Sequence, residues 1–267
     1  MSRKPVTHPN LIAGELRVGH AAPDYGVYST GLVKKFELGT RYRIGDRVFH
    51  YGRTGVASVV ARGAKNEGVY RSVGGGVVTI TTADQAWIDL LLDDTEGAAA
   101  WFGAKNNMVG GMLVIHAEGS NQKFRMIVGH KKGADAATIK VYLDGPLASV
   151  VAATSLVECA QNPYAQLDNT NNPYSSVMGV PVITHAIHAY GWFQSWGPAW
   201  VVPSLPCADQ TNWRDVVFAG NGSVMSVDDA VSAEASDGYQ RAGFVIDMTW
   251  IGGASDNPPF IMLQICP

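Results

Sequence analysis

Short apolar runs punctuated by glycine, proline, asparagine and aspartate make up most of this chain of 267 residues. The pattern is clearest between Gly110 and Leu147, where Met112-Leu-Val-Ile-His, Phe124-Arg-Met-Ile-Val and Thr138-Ile-Lys-Val-Tyr-Leu are separated by turn residues at Gly119-Ser-Asn and at 129–134. Such spacing predicts a three-stranded antiparallel meander. In the third run Ile139, Val141 and Leu143 alternate with Lys140 and Tyr142, the period of two that sends apolar side chains to one face. Residues 36–40 and 48–51 flank a Gly45-Asp46 turn and predict a hairpin. Val77-Val-Thr-Ile-Thr-Thr, Gly243-Phe-Val-Ile-Asp-Met-Thr-Trp and Phe260-Ile-Met-Leu-Gln-Ile-Cys also read as strands.

Helical periodicity is scarce. Residues 83–93 and 227–235 are candidates for short helices with apolar faces, and the acidic pair Asp228-Asp229 suits the start of the second. Turn signals recur about every 10 to 12 residues, as in sandwiches and barrels. The expected class is mainly β: an antiparallel β-sandwich or barrel-like domain with an extended N-terminal arm. Residues 1–35, rich in glycine and proline, form the arm; residues 36–202 form the main β domain; residues 203–267 complete that domain or make a small second one. Within the arm Leu11, Ile12, Leu16 and Tyr25 are apolar anchors for a neighbouring subunit, if the arm is ordered.

The most aromatic stretch, 180–202, contains Tyr190, Trp192, Phe193, Trp196 and Trp200, interrupted by Gly191, Gly197 and Pro198. It reads as two strands joined at a Gly197-Pro198 corner, with Trp192 and Trp196 on the same strand parity. Tyr190, Trp192, Trp196 and Trp200 are therefore candidates for a sandwich core combined with a protein interface, or for a carbohydrate-binding surface.

Charge sharpens the interface reading. Only 16% of residues are charged and the formal net charge is −3. A chain this poor in charge is expected to cover part of its surface with other protein, and it offers phosphate backbones no general attraction. Arg41, Arg43, Arg47 and the pair Lys131-Lys132 are short basic groups of the sort that solvated turns carry. Cys159, Cys207 and Cys266 are odd in number and widely spaced, which fits folding in a reducing compartment. No apolar stretch approaches the roughly 18 residues of a membrane span, and no export signal is expected.

Catalytic and metal-binding spacings do not emerge. The glycines 74–76 run into a strand rather than into a helix with Lys-Ser or Lys-Thr, so they do not read as a phosphate loop. His185 and His188, on a predicted strand over 182–190, face opposite sides and cannot share an ion. Asp93, Asp94 and Glu96 lack calcium-loop spacing and read as a solvated turn. Ser195 and Cys159 have no nucleophile motif around them. No catalytic residue, metal or cofactor is expected.

Beside this reading stands a resemblance. Phe36-Glu-Leu-Gly-Thr-Arg followed by Arg47-Val-Phe-His-Tyr-Gly, then Gly110-Gly-Met-Leu-Val-Ile, Phe124-Arg-Met-Ile, Val141-Tyr-Leu-Asp-Gly-Pro-Leu, Asn172-Pro-Tyr-Ser-Ser-Val and Tyr190-Gly-Trp-Phe-Gln-Ser-Trp-Gly-Pro occur in this order over residues 36–200. Together they resemble a family of tailed-bacteriophage virion structural proteins, decoration or cement-like proteins encoded near the major capsid protein. The resemblance implies a non-enzymatic particle protein, folded in the host bacterial cytoplasm and carried on the capsid exterior. Its implied partner is the major capsid protein; the low charge and the arm add copies of the chain itself, most simply a trimer at lattice symmetry positions, and composition gives neither nucleic acid nor membrane as a partner. Two departures stand out: the arm is longer than the family pattern suggests, and 209–237 matches no pattern in it. The alternatives are a carbohydrate-binding or adhesive virion appendage, suggested by the aromatic run, and a β-sandwich glycan hydrolase.

Overall fold

In the computed structural model of the chain every regular element named below is a strand. The structure describes residues 15–17, 26–58, 60–66, 71–73, 77–78, 84–92, 102–116, 123–134, 137–147, 155–169, 175–204, 214–227, 239–247 and 260–266. The arm anchors Leu11, Ile12 and Tyr25, the residues Asp93, Asp94, Glu96, Asp228 and Asp229, and Cys207 lie outside them. The chain is mainly β with antiparallel sheets, as its alternating runs predict. Among the described residues no helix is long and apolar enough to cross a membrane.

The division into compact units is not the linear one expected from sequence. One unit comprises Met1–Glu67 with Tyr164–Pro267, and the other is Gly68–Pro163. The expected main domain is thus split by an insertion, and 203–267 belongs to the first unit. The insertion point is a paired strand ladder: β4 (Ala64–Asn66) and β12 (Leu167–Asp168) run antiparallel with Leu167 opposite Asn66. Because the chain leaves and re-enters on adjacent strands, the first unit closes its sheet across the insertion as it would across a loop.

The discontinuous unit contains an 11-stranded sheet. Its main path runs β1 (Glu15–Arg17), β2 (Arg41–Ile44), β3 (Arg47–Arg53), β14 (Tyr190–Trp200), β18 (Phe260–Gln264), β17 (Arg241–Asp247), β15 (Asp215–Phe218) and β16 (Val224–Ser226). β13 (Val177–Pro181) joins β14 to β4. Part of the arm, β1, lies parallel to this chain's own β2, with Leu16 opposite Tyr42. The expected turn at Gly45-Asp46 joins β2 and β3, with Gly45 in the left-handed conformation that turn needs, but residues 36–40, expected as the first strand, form bends and turns, and Arg41–Ile44 pairs with β3 instead.

β14 is a single strand of 11 residues rather than two strands meeting at a corner. Gly197 adopts φ 92° where a Cβ would collide with the backbone of Asp46, so glycine absorbs the irregularity and pairing continues. Pro198, Ala199 and Trp200 remain in register with Met262, Ile261 and Phe260. One core cluster packs Val27, Tyr42, Phe49, Tyr51 and Trp192 together; another gathers Ala199, Val201, Val245, Ile261 and Leu263 with Val177, Val180 and Val216.

The inserted unit holds a seven-stranded sheet. Its order is β5 (Arg71–Val73), β11 (Leu156–Ala160), β8 (Met112–His116), β9 (Lys123–His130), β10 (Thr138–Leu143), β7 (Trp87–Leu91) and β6 (Val77–Val78). The predicted meander is β8–β9–β10. Residues 87–91, expected within a short helix, form β7 instead: Ile88 and Leu90 are buried between half-buried neighbours, a period of two fixed by pairing with β10. Alternate residues of β7, β8, β10 and β11 build one core with Phe102, Met108 and Leu147.

Candidate functional site

A bulge decides which aromatic side chains reach the surface. β3 and β14 pair Trp192 with Tyr51 and Gln194 with Phe49, but then Trp196 with Val48, so Ser195 is the extra residue. An extra residue reverses the strand's parity. Trp192 and Trp196 therefore lie on opposite faces, against the shared parity expected from their spacing. Trp192 is fully buried, its ring centroid 5.2 Å from both Phe36 and Tyr51 and 5.4 Å from Tyr42. As an interface candidate Trp192 is corrected to a core residue. Tyr190 is half-buried at the margin of the same cluster, stacked on Tyr51 at 6.1 Å, and its backbone exchanges two hydrogen bonds with Gly31.

On the other parity Trp196, Pro198 and Trp200 continue onto β18 and β17. Pro198 is opposite Met262, Met262 opposite Phe244, and Trp200 opposite Phe260. Trp200 is 60% exposed and its ring lies 5.5 Å from that of Phe260. A second bulge, between Val245 and Asp247, leaves Ile246 exposed beside them. Three adjacent strands thus present a largely apolar, aromatic surface. The tryptophans were legible as candidates from sequence; Phe244, Met262 and Phe260 were not, because only strand pairing brings them alongside.

Several buried polar groups bond one another or the backbone. His50 Nδ1 lies 2.9 Å from Ser195 Oγ, and that hydroxyl donates to the Cys266 carbonyl at 2.8 Å. Ser195 consequently accepts the His50 Nδ1 proton. A nucleophile needs a base that can take its proton and a substrate that can reach it; here the serine is fully buried and its proton is engaged with a carbonyl. The pair instead fastens the bulge and the C-terminal residues together. Burial, with Arg41 nearby, lowers the His50 pKa to about 4, so the imidazole is neutral. Tyr164 stacks on it at 5.1 Å, and burial pushes the phenol pKa up.

Residues 182–189 form turns and a bridge rather than the predicted strand, with His188 at φ 60° and exposed. His185 is fully buried, so the two histidines still do not share a site. Its Nδ1 lies 3.0 Å from the Ile183 carbonyl, its ring stacks on Phe193 at 4.8 Å, and burial lowers its pKa to about 4. Gly191 makes room for it: a Cβ there would overlap His185 Nε2. Gly191→Ala is expected to lower stability by about 1–3 kcal/mol through overpacking, read as a lower urea midpoint with unchanged secondary structure at a destabilised fold.

Lys65, also buried, donates its ammonium to the Gly220 carbonyl, beside a shallow recess lined by Val177, Phe218, Tyr239 and Gln240. The Gln240 amide is itself spent on the backbone N–H and carbonyl of Val177, at 2.6 and 2.9 Å. Among the described residues no cluster of three or more histidine, cysteine or acidic side chains is placed to hold a metal ion. Cys159 is buried in the core of the inserted unit and Cys266 is exposed. The surface that stands out is the aromatic one on β14, β18 and β17. No family model, curated protein or solved structure matches the chain.

Proposed function

We propose that this chain is a non-enzymatic structural protein of a tailed-phage virion, which binds the outer capsid surface as a decoration or cement protein and associates with itself. The observation that carries the proposal is the aromatic face, Trp196, Pro198 and Trp200 with Phe260 and Met262, on a chain with 16% charged residues. Exposed tryptophan ringed by apolar neighbours is the hardware of protein contact hot spots. A cement role uses many copies of one modest contact, for which a rigid sheet face is well suited. The ordered resemblance over residues 36–200 supplies the particle context.

Trp200→Ala removes an exposed ring and is expected to leave folding intact. It should weaken binding of the purified protein to capsids that lack it by about 30-fold, the loss of a hot-spot side chain worth about 2 kcal/mol. Co-sedimentation with such capsids measures this, and equal binding by the variant would count against the proposal. A carbohydrate-binding role is favoured by one feature, the 60% exposure of Trp200, whose ring can stack on a sugar. Glycan-array binding abolished by Trp200→Ala, with capsid binding unaffected, would select that reading.

A further inference from the structure

The loop between β15 and β16 carries Asn221-Gly222, the chain's only asparagine followed by glycine. Glycine has no side chain to shield its peptide nitrogen, so this is the dipeptide in which an asparagine amide is most readily attacked by its own backbone. The attack forms a bond from the Gly222 nitrogen to Asn221 Cγ. The side-chain nitrogen departs as ammonia, taking the Gly222 N–H proton with it, and a cyclic imide remains. Water then opens either imide bond, leaving aspartate or, with the main chain rerouted through the side chain, isoaspartate. One water enters and one ammonia leaves, with no oxidant or reductant.

In the folded chain the two reacting groups are held apart. The Ala219 N–H donates to the Ser223 carbonyl at 2.8 Å and the Gly222 N–H donates to the Ala219 carbonyl at 2.9 Å, with Gly222 at φ 78°. That is a three-residue hairpin loop, a type I turn closed by a left-handed glycine, and it holds Asn221 at ψ of about 0°. At that ψ the Gly222 nitrogen is turned away from the side chain, so near-attack geometry is not reached. The Asn221 Oδ1 atom is fixed as well: it accepts from the Ser223 N–H at 3.0 Å and from the Ser223 hydroxyl.

The loop is itself docked on β4 and the residue before it. The Gly63 N–H donates to the Gly222 carbonyl at 2.6 Å, the buried Lys65 ammonium donates to the Gly220 carbonyl, and Asn169 Nδ2 donates to the Gly63 carbonyl at 2.7 Å. A Cβ on Gly222 would fall 2.2 Å from that Gly63 oxygen, so the fit leaves no slack. Two carbonyls on either side of Asn221 thus meet two donors on one segment, at a spacing that an ordinary peptide chain sets.

We propose that Asn221-Gly222 is a conformationally gated self-modification site: docking of the loop blocks cyclisation, local opening permits it, and conversion to isoaspartate prevents re-docking. Isoaspartate adds one methylene to the main chain between Gly220 and Gly222, so the two carbonyls no longer meet Lys65 and Gly63 together. A buried ammonium that loses an acceptor is costly, and the opened state then persists. The site uses none of the residues of the aromatic face and is independent of the virion role.

Peptide mapping by mass spectrometry, with fragmentation that distinguishes isoaspartate from aspartate, tests it on the full chain held at mildly alkaline pH. Conversion at Asn221 should be at least about tenfold slower in native buffer than in denaturing urea, the ratio being set by the opening equilibrium of the loop. Ser223→Ala should raise the native rate several-fold and leave the rate in urea unchanged. The isoaspartate form, isolated by ion exchange, should melt below the wild type, whereas Asn221→Asp, with the new charge but the normal main chain, should melt close to it. Equal conversion in native buffer and in urea, or a native rate indifferent to Ser223→Ala, would overturn the gate. No conversion in either condition would overturn the site, and an isoaspartate form that melts with the wild type would overturn the undocking.

Discussion

Trp192→Ala is expected to destabilise the discontinuous unit by about 3–5 kcal/mol, the range for removing a large buried aromatic side chain. Trp192 is fully buried and touches Phe36, Tyr42 and Tyr51, so its removal leaves a cavity bounded by rings anchored on two strands and on the segment before them. Against a typical total stability of about 5–15 kcal/mol, such a loss removes a large share of the folded population's margin. Trp200→Ala, on the opposite parity, is expected to change stability by no more than about 0.5 kcal/mol, as substitutions at exposed positions do. Urea denaturation of the two variants, followed by far-ultraviolet circular dichroism, measures the contrast. Similar midpoints for the two variants would contradict the parity reversal at Ser195, because both tryptophans would then have comparable surroundings.

Acidification is the second large effect. His50 and His185 both have folded-state pKa values near 4, against 6.5 for an unconstrained imidazole, because burial disfavours the charged form. Between pH 6.5 and 4 the unfolded chain takes up protons at these positions that the folded chain refuses. Stability therefore falls as pH falls through that window and rises with pH until about 6.5. Each pH step of one unit well inside the window is worth about 1.4 kcal/mol per imidazole, and less near pH 6.5 where the unfolded imidazole is only half protonated, so the pair withdraws about 3 kcal/mol between pH 6.5 and 5. Exposed carboxylates titrate mainly below that stretch, so the decline there belongs to histidine. Melting temperatures measured from pH 8 to 5 should fall below pH 6.5, and stability independent of pH across 6.5 to 5 would show that the imidazoles are accessible in the folded state. Lowered pKa by burial also applies in direction to His130, which adds to the same slope.

Local pairing was legible where alternation was unbroken. Ile139, Val141 and Leu143 announced β10, and Gly45-Asp46 announced the β2–β3 turn, because both depend on neighbours close in sequence. Residues 87–91 looked helical until β10 imposed a period of two on Ile88 and Leu90. The insertion was not legible, since its boundary rests on Asn66 pairing with Leu167, a contact between segments a whole unit apart. At the candidate surface, Trp196 and Trp200 stood out by chemistry. Their separation from Trp192 did not, because one bulged residue reverses parity and no local composition marks Ser195 as that residue; its hydrogen bonds to His50 and Cys266 come from remote parts of the chain.

The proposed virion role assigns the aromatic face of β14, β18 and β17 to contact with another protein. Quantitative mass spectrometry of purified tailed-phage particles whose genome encodes this chain tests that claim most directly. The account predicts the chain in a fixed lattice ratio to the major capsid protein, lost in step when Trp200 is replaced by alanine; its absence from intact particles produced alongside abundant soluble chain would contradict it.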